Sequence, residues 1–133
     1  MFGRKSGKPN ARIDSLIGAG TRVDGDITFT GGLRIDGTVK GNVRSDGGPG
    51  MLVLSENACV EGSIDVTHCV VNGTVIGPVT SSEYLELQPQ AKVTGDVTYN
   101  RIEIHLGAAV KGRLDKQGDV SKAAVGLKLA KQG

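Results

Sequence analysis

Aromatic residues are unusually scarce in this sequence. Among its 133 residues there is no tryptophan, and the aromatic residues are two phenylalanines and two tyrosines. Large aromatic side chains usually supply much of the bulk of a compact core. The 21 glycines, and an apolar fraction of 38% carried mainly by valine, isoleucine, leucine and alanine, instead favour a narrow interior built in repeated layers.

Cysteines and long apolar runs are also scarce. Cys59 and Cys69 are too few for a disulfide framework, and we expect both to be reduced, mostly buried thiols. The first residues lack the apolar stretch of a secretory signal, and no window approaches the roughly 18 apolar residues of a membrane span. These absences predict a cytoplasmic protein of one domain with tails.

The central part of the sequence, residues 13–114, carries no net positive charge. The net charge of +2 combines four basic side chains and no acidic one in residues 1–12 with 8 basic and 12 acidic ones in residues 13–114. A dedicated nucleic-acid binder concentrates positive charge on its folded body. We therefore do not expect nucleic acid as the primary ligand.

What the sequence does contain is a repeat of the form apolar-x-Gly-x-apolar. Where two copies share a residue, we count only the glycine of the second copy. The counted glycines are then 16, 21, 15, 18 and 17 residues apart. The longest interval contains SDGGPG (45–50), which we predict to lie on a loop. The copies are VDGDI (23–27), IDGTV (35–39), VKGNV (39–43), VEGSI (60–64), VNGTV (71–75), VIGPV (75–79), VTGDV (93–97) and VKGRL (110–114).

Short segments between these glycines, such as LRI (33–35) and LVL (52–54), alternate between apolar and polar residues. Alternation with period two predicts strands, and no window in residues 13–114 shows a sustained helical period. Frequent glycine suits a chain that bends sharply between short strands. The predicted fold is all-β: a single three-sided parallel β-helix, a solenoid of about six coils and roughly 29 Å in length.

The regularity of the coils bears on handedness. Apolar residues six apart at Ile17, Val23, Phe29 and Ile35 match the hexads of left-handed β-helices, but the phase fails at Gly41. Strict three-sided hexad coils need about 18 residues each. Because the intervals here vary, mostly between 15 and 18 residues, we predict the right-handed form.

Seven phrases occur in an order that is fairly specific: MFGRK (1–5), LIGAGTRVDGDI (16–27), LRIDGTVKGNV (33–43), ACVEGSIDV (58–66), VVNGTVIGPV (70–79), AKVTGDV (91–97) and GAAVKGRL (107–114). In this set the sequence resembles the bactofilins, bacterial polymer-forming cytoskeletal proteins. The resemblance implies a right-handed β-helix that polymerises end to end, without nucleotide, into non-polar filaments. It also implies association with the inner face of the cytoplasmic membrane and localisation of cell-wall or cell-shape proteins.

The same resemblance divides the chain into a flexible basic segment (1–15), the β-helix polymerisation domain (16–114) and a flexible C-terminal tail (115–133). One departure concerns the last coil, where family members often carry a phenylalanine in a GA-x-F-x-G phrase that contributes to the polymer contact. Val110 stands in that place here.

The end coils of an uncapped solenoid expose apolar cross-sections and unpaired backbone. We expect the polymer contacts there, and like ends joined by two-fold contacts can extend without limit. The candidate residues are Leu16, Ile17, Val23 and Ile27 at the N-terminal end and Ile102, Ile104, Val110 and Leu114 at the C-terminal end.

The N-terminal segment predicts contact with anionic lipids of the inner membrane. Apolar residues precede basic ones, and each basic residue contributes on the order of 1 kcal/mol near such a surface. Display of many copies along a filament would raise the affinity through effective concentration. The predicted membrane-binding residues are Met1, Phe2, Arg4, Lys5 and Lys8.

Two alternatives stay open from the sequence. One is a trimeric hexapeptide-type acyltransferase with a left-handed β-helix and His105 as general base. The other is a solenoid adaptor whose tail forms a helix, with the stripe Val120, Ala123, Ala124 and Leu127, that caps the last coil.

We expect neither an enzyme nor a bound cofactor. His68 and Cys69 adjoin, but no C-x-x-C or H-x-x-x-H pair indicates a metal site. His105 is expected to be a surface residue on a corner. No glycine phrase matches a phosphate-binding loop, so no nucleotide site is predicted.

Overall fold

The computed structural model describes residues 13–117, and every regular element within that range is a β-strand. This confirms the all-β prediction. The thirteen strands are β1 Ser15–Ile17, β2 Arg22–Asp24, β3 Ile27–Ile35, β4 Thr38–Lys40, β5 Val43–Leu54, β6 Cys59–Glu61, β7 Ile64–Val71, β8 Thr74–Ile76, β9 Val79–Leu87, β10 Lys92–Thr94, β11 Val97–Ile104, β12 Ala109–Lys111 and β13 Leu114–Lys116.

The strands form two parallel sheets that run along the molecule. The seven-stranded sheet has the order β1-β3-β5-β7-β9-β11-β13, and the six-stranded sheet has the order β2-β4-β6-β8-β10-β12. Each strand pairs in parallel with the strand two places further along the chain. Such pairing requires the chain to wind round and lie on its previous turn, so the described residues form a β-solenoid.

The seven-stranded sheet bends over two sides of the solenoid. Its long strands pair in two segments separated by a shift of register, between Phe29 and Gly31 in β3 and between Val66 and His68 in β7. The short strands make the third side. The six coils defined by this pattern are residues 15–29, 33–45, 52–66, 69–81, 85–99 and 102–116. The right-handed winding stays a prediction.

The interior is a narrow stack of aliphatic layers. Leu33, Leu52, Cys69 and Leu85 lie in register on successive coils, and each is at most 3% exposed. The short strands contribute a matching inward row, in which the exposure is at most 2%. That row consists of Val39, Val60, Val75 and Val93. Because coils lie only about 4.8 Å apart, branched aliphatic residues fill most of each layer, and Phe29 is the one aromatic residue in the buried core of residues 13–117.

Stacked glycines mark the corner that follows the short strands. Gly41 and Gly62 have φ angles of +158° and +154°. A Cβ on Gly62 would collide with the carbonyl oxygen of Gly41 in the preceding coil, and a Cβ on Gly41 would collide with that of Gly25. Both conformation and space therefore require glycine here, which explains its recurrence in the repeat.

The predicted loop at 45–50 is an outward bulge within β5. Residues 46–49 are exposed, and the pairing of β5 with β7 passes directly from Arg44 to Met51. Gly47 has a φ of +76°, which helps the chain turn out of the sheet. The extra residues leave the coils on either side in register.

Candidate functional site: the two ends of the solenoid

At the N-terminal end, three of the predicted interface residues lie in the open cross-section. Ile17, Val23 and Ile27 pack against the core but are only partly buried. Their counterparts in the next coil, each 0% exposed, are Ile35, Val39 and Val43. The difference arises because the described residues place no coil on the outer side of the first one.

The fourth predicted residue, Leu16, lies on the outer surface instead. It pairs with Arg34 and is 60% exposed. Alternate side chains of a strand face opposite sides, so Leu16 points outward where Ile17 points inward. Ile13, which is 40% exposed, adds apolar surface before β1. The sequence pattern overlooked it because it precedes the first alternating segment.

At the C-terminal end, all four predicted residues lie together on the last coil. They are in register with buried residues of the coil beneath: Ile102 with Leu85, Ile104 with Leu87, Val110 with Val93 and Leu114 with Val97. Ile104 is 48% exposed and Leu114 is 44% exposed, whereas Leu87 and Val97 are fully buried. The last coil thus presents an aliphatic cross-section like those inside the molecule.

Among residues 13–117, each end also presents a strand edge that no other strand pairs. The edge strands are β1 and β13 in one sheet and β2 and β12 in the other. Within residues 13–117 no element covers either edge. Unpaired strand edges are ready to pair with another chain, and natural proteins usually protect them.

The corner of the last coil adds an apolar feature that the sequence pattern missed. Leu106 is 95% exposed, next to Gly107, in the turn between β11 and β12. Period-two analysis assigns no direction to a residue in a corner. A leucine immediately before a corner glycine was the available signal.

The predicted membrane-binding residues lie outside the described range, and so does the tail stripe. The membrane contact and the tail helix therefore stay predictions. Residues 13–117 contain no helix that could span a membrane. The residues concerned are Met1, Phe2, Arg4, Lys5 and Lys8 at the start and Val120, Ala123, Ala124 and Leu127 in the tail.

The two cysteines occupy different environments. Cys69 is fully buried in the core, and Cys59 is half-buried on β6. Burial raises the pKa of Cys69 to about 12. Because the thiolate is the reactive form of cysteine, Cys69 is chemically quiet at neutral pH.

His105 lies beside two carboxylates from neighbouring coils. Its Nε2 is 2.9 Å from Glu86 Oε2 and 3.3 Å from Glu103 Oε2. Tyr84 donates a hydrogen bond to Glu103 Oε1 at 2.8 Å. The pKa of Tyr84 is raised to about 12, mainly by burial and next by this hydrogen bond. We call Glu86, Glu103 and His105 the last-coil cluster.

His105 lies on a corner between β11 and β12, as the sequence predicts, but the sequence pattern does not indicate its two carboxylate neighbours. Glu86 precedes His105 by 19 residues, so a search for short metal-binding spacings passes over the pair. The signal was the interval between Glu86 and Glu103, which equals one coil and puts the two carboxylates in register.

The bactofilin family model, described as polymer-forming cytoskeletal, matches residues 15–115. The bactofilin BacO of Myxococcus xanthus (strain DK1622) is 32% identical over 102 residues, which are 77% of this chain and 79% of BacO. The bactofilin BacP of the same organism is 27% identical over 107 residues, 80% of this chain and 43% of BacP. No solved structure matches. The matched residues coincide with the solenoid from β1 to β13, and the chain belongs to the bactofilins, a family of polymer-forming cytoskeletal proteins.

Proposed function

We propose that the protein is a bacterial cytoskeletal scaffold that assembles without nucleotide into filaments through its end coils. The observation that supports this most directly is the aliphatic cross-section at the C-terminal end, which no other element within residues 13–117 covers. Burying a large aliphatic side chain contributes about 1.5–3 kcal/mol. Ile104 and Leu114, each nearly half exposed, offer much of that stabilisation to an incoming chain.

Like ends join in the proposed filament, N-terminal to N-terminal and C-terminal to C-terminal. Each contact then has two-fold symmetry, and alternation of the two contacts extends the filament without polarity. The edges of β12 and β13 would pair across the C-terminal contact, and those of β1 and β2 across the N-terminal one.

The proposed filament lies at the inner face of the cytoplasmic membrane and positions cell-wall or cell-shape proteins. The basic residues of the segment 1–12 support the membrane contact, which is weak for one chain. Assembly multiplies these weak contacts, so membrane binding and polymerisation reinforce each other. Membership of the family supports the scaffold role.

The test is negative-stain electron microscopy of the purified chain without nucleotide, beside two variants of β12. Val110→Arg places a charge in the C-terminal cross-section, whereas Ala109→Arg places the same charge on the exposed outer side of the same strand. We expect filaments from the wild type and from Ala109→Arg, and short particles from Val110→Arg. Circular dichroism checks that both variants are folded.

Discrete particles from all three proteins would contradict the proposal. Particles of trimer size would direct attention to the acyltransferase alternative and to an assay of acyl transfer. Equal filaments from Val110→Arg and Ala109→Arg would show that the C-terminal cross-section is not a contact.

Cross-linking can test whether like ends join in the filament. Leu114→Cys in a Cys59→Ser background places one accessible thiol at the C-terminal end. A short bifunctional maleimide should then join chains into dimers and no further, because one thiol meets its own copy across a two-fold contact. Failure to cross-link within intact filaments would indicate head-to-tail joining instead.

A further inference from the structure

We propose that the last-coil cluster binds a divalent transition-metal ion, with zinc as the probe, and that the ion fastens the last coil to the coil beneath it. One imidazole nitrogen and one oxygen from each carboxylate supply the three ligands. These three atoms all lie within 4.8 Å of one another. A mixed nitrogen and oxygen set suits zinc and its neighbours, whereas calcium prefers six to eight oxygens.

The charges around the cluster support a cation. His105 Nε2 can offer at most one hydrogen, and oxygens of both Glu86 and Glu103 approach it, at 2.9 and 3.3 Å. Among residues 13–115, no lysine or arginine forms an ion pair with either carboxylate. Two carboxylates in register on adjacent strands repel each other. A divalent ion at the point where they meet His105 would remove this repulsion.

The carboxylates are already oriented by groups that would remain in place around an ion. Tyr84 donates to Glu103 Oε1 at 2.8 Å, and Gln88 donates to Glu86 Oε2 at 3.3 Å. Partners of this kind commonly orient metal ligands and tune their affinity. The strands β9 and β11 that carry the two carboxylates are paired in register, so little backbone movement is needed.

The position of the cluster gives the ion a structural role. Glu86 belongs to the fifth coil, whereas Glu103 and His105 belong to the sixth, on either side of the half-exposed Ile104. An ion held by all three residues would restrain the strand end that presents Ile104. Because this strand end lies in the proposed C-terminal contact, zinc should favour assembly, a consequence that rests on the proposed function.

The test is isothermal titration of zinc into the full chain, purified without a histidine tag, in a Cys59→Ser background that removes the half-buried thiol. We expect one zinc ion per chain. Affinity should fall by about tenfold or more in His105→Gln and in Glu86→Gln. The matched control is His68→Gln, since His68 is the other histidine and lies on β7, in register with Tyr84 but outside the three proposed ligands. This control should bind zinc like its parent.

A second readout identifies the ligand directly. The ring nitrogen resonances of His105 should shift on addition of one equivalent of zinc, while those of His68 stay in place. Absence of saturable binding would overturn the proposal. Binding that survives unchanged in His105→Gln would overturn it equally.

Filament length with and without zinc separates this site from the proposed function. Zinc binding by chains that never form filaments would leave the site standing and contradict the assembly proposal. Filaments from a chain that does not bind zinc would support the assembly proposal and contradict the zinc site. Titration in the Val110→Arg background measures binding independently of assembly.

Discussion

At the residue level, the space left beside single backbone atoms determines which residues fit at the corners of this solenoid. At Gly62 the carbonyl oxygen of Gly41 occupies the place of a Cβ, while at Gly18, in a different corner, nothing lies within 4 Å of one. Gly62 also has a φ of +154°, which is unfavourable for other residues. The two glycines therefore differ in role although both lie in turns.

This difference predicts unequal effects of alanine. Gly62→Ala should lower the free energy of unfolding by about 2–4 kcal/mol, because the strained conformation and the collision with backbone add together. Gly18→Ala should change it by less than about 0.5 kcal/mol. Urea unfolding followed by circular dichroism measures both, and equal effects would contradict the role of the stacked glycines.

A second residue-scale prediction concerns the thiols. At pH 8 the folded chain should react with a thiol reagent at Cys59 only, and unfolding in guanidinium should release a second thiol. Cys69 has an ordinary pKa of 9.0 that burial raises to about 12. Its neutral form therefore contributes stability that is complete below pH 9 and is lost as the pH rises towards 12.

Labelling at pH 10 makes this prediction sharper, because an exposed thiol is largely ionised there. Mass spectrometry of the Cys59→Ser variant should still find Cys69 unmodified. Rapid modification of Cys69 in folded protein would show that the core opens more easily than its burial implies.

At the scale of the strand, β5 tolerates a bulge because the surplus residues leave the sheet together. Six residues separate Ser45 from Leu52 at this corner, whereas only Thr67 and His68 separate the equivalent positions of the next coil. The shorter corner shows that two residues suffice to turn the chain between these two sides.

Deletion of residues 46–49 should therefore preserve the solenoid. It leaves Gly50 and Met51 as a two-residue corner, and the change in loop entropy is about 1 kcal/mol or less. Deletion of Thr67 and His68, which leaves no corner, should abolish folding. Thermal unfolding followed by circular dichroism distinguishes the two, and loss of structure in the first variant would refute this account of β5.

For the molecule as a whole, the two ends of the described chain carry opposite net charge. In residues 13–29 three aspartates outnumber Arg22, a net charge of −2, whereas residues 101–117 carry four basic and two acidic side chains, a net charge of +2. Joining like ends brings equal charges together, and head-to-tail joining would bring opposite charges together. Salt screens both effects, since the Debye length is about 10 Å at 0.1 M.

Salt should consequently promote assembly of a variant that lacks the basic residues 1–12. We expect the fraction sedimented as filaments to rise as sodium chloride is increased from about 50 to about 300 mM. The Debye length falls through about 10 Å over this range, so repulsion between like charges weakens. A fall over the same range would indicate head-to-tail filaments. The intact chain serves as a comparison, because its basic segment adds positive charge near the N-terminal end.

The alternating strands, the glycine corners and the stack of about six coils follow from the sequence alone. Alternation of apolar residues is a local signal, and a glycine whose Cβ has no room is visible as a repeat, so the shared inward direction of Leu33, Ile35, Val39 and Val43 follows from the sequence. The failure of the hexad phase at Gly41 also has a local cause. The corner at 36–37 contains two residues where those at 18–21 and 55–58 contain four.

Which residues meet across coils becomes visible only in the folded molecule. It places Leu16 outside the cross-section that holds Ile17, and it brings Glu86 of one coil against Glu103 and His105 of the next. Contacts between coils depend on register, and the corners keep that register although their lengths differ. Three residues, 82–84, turn the chain after Ser81, whereas two residues, 100–101, turn it at the equivalent corner after Tyr99. No short stretch of sequence records how each corner accommodates its length.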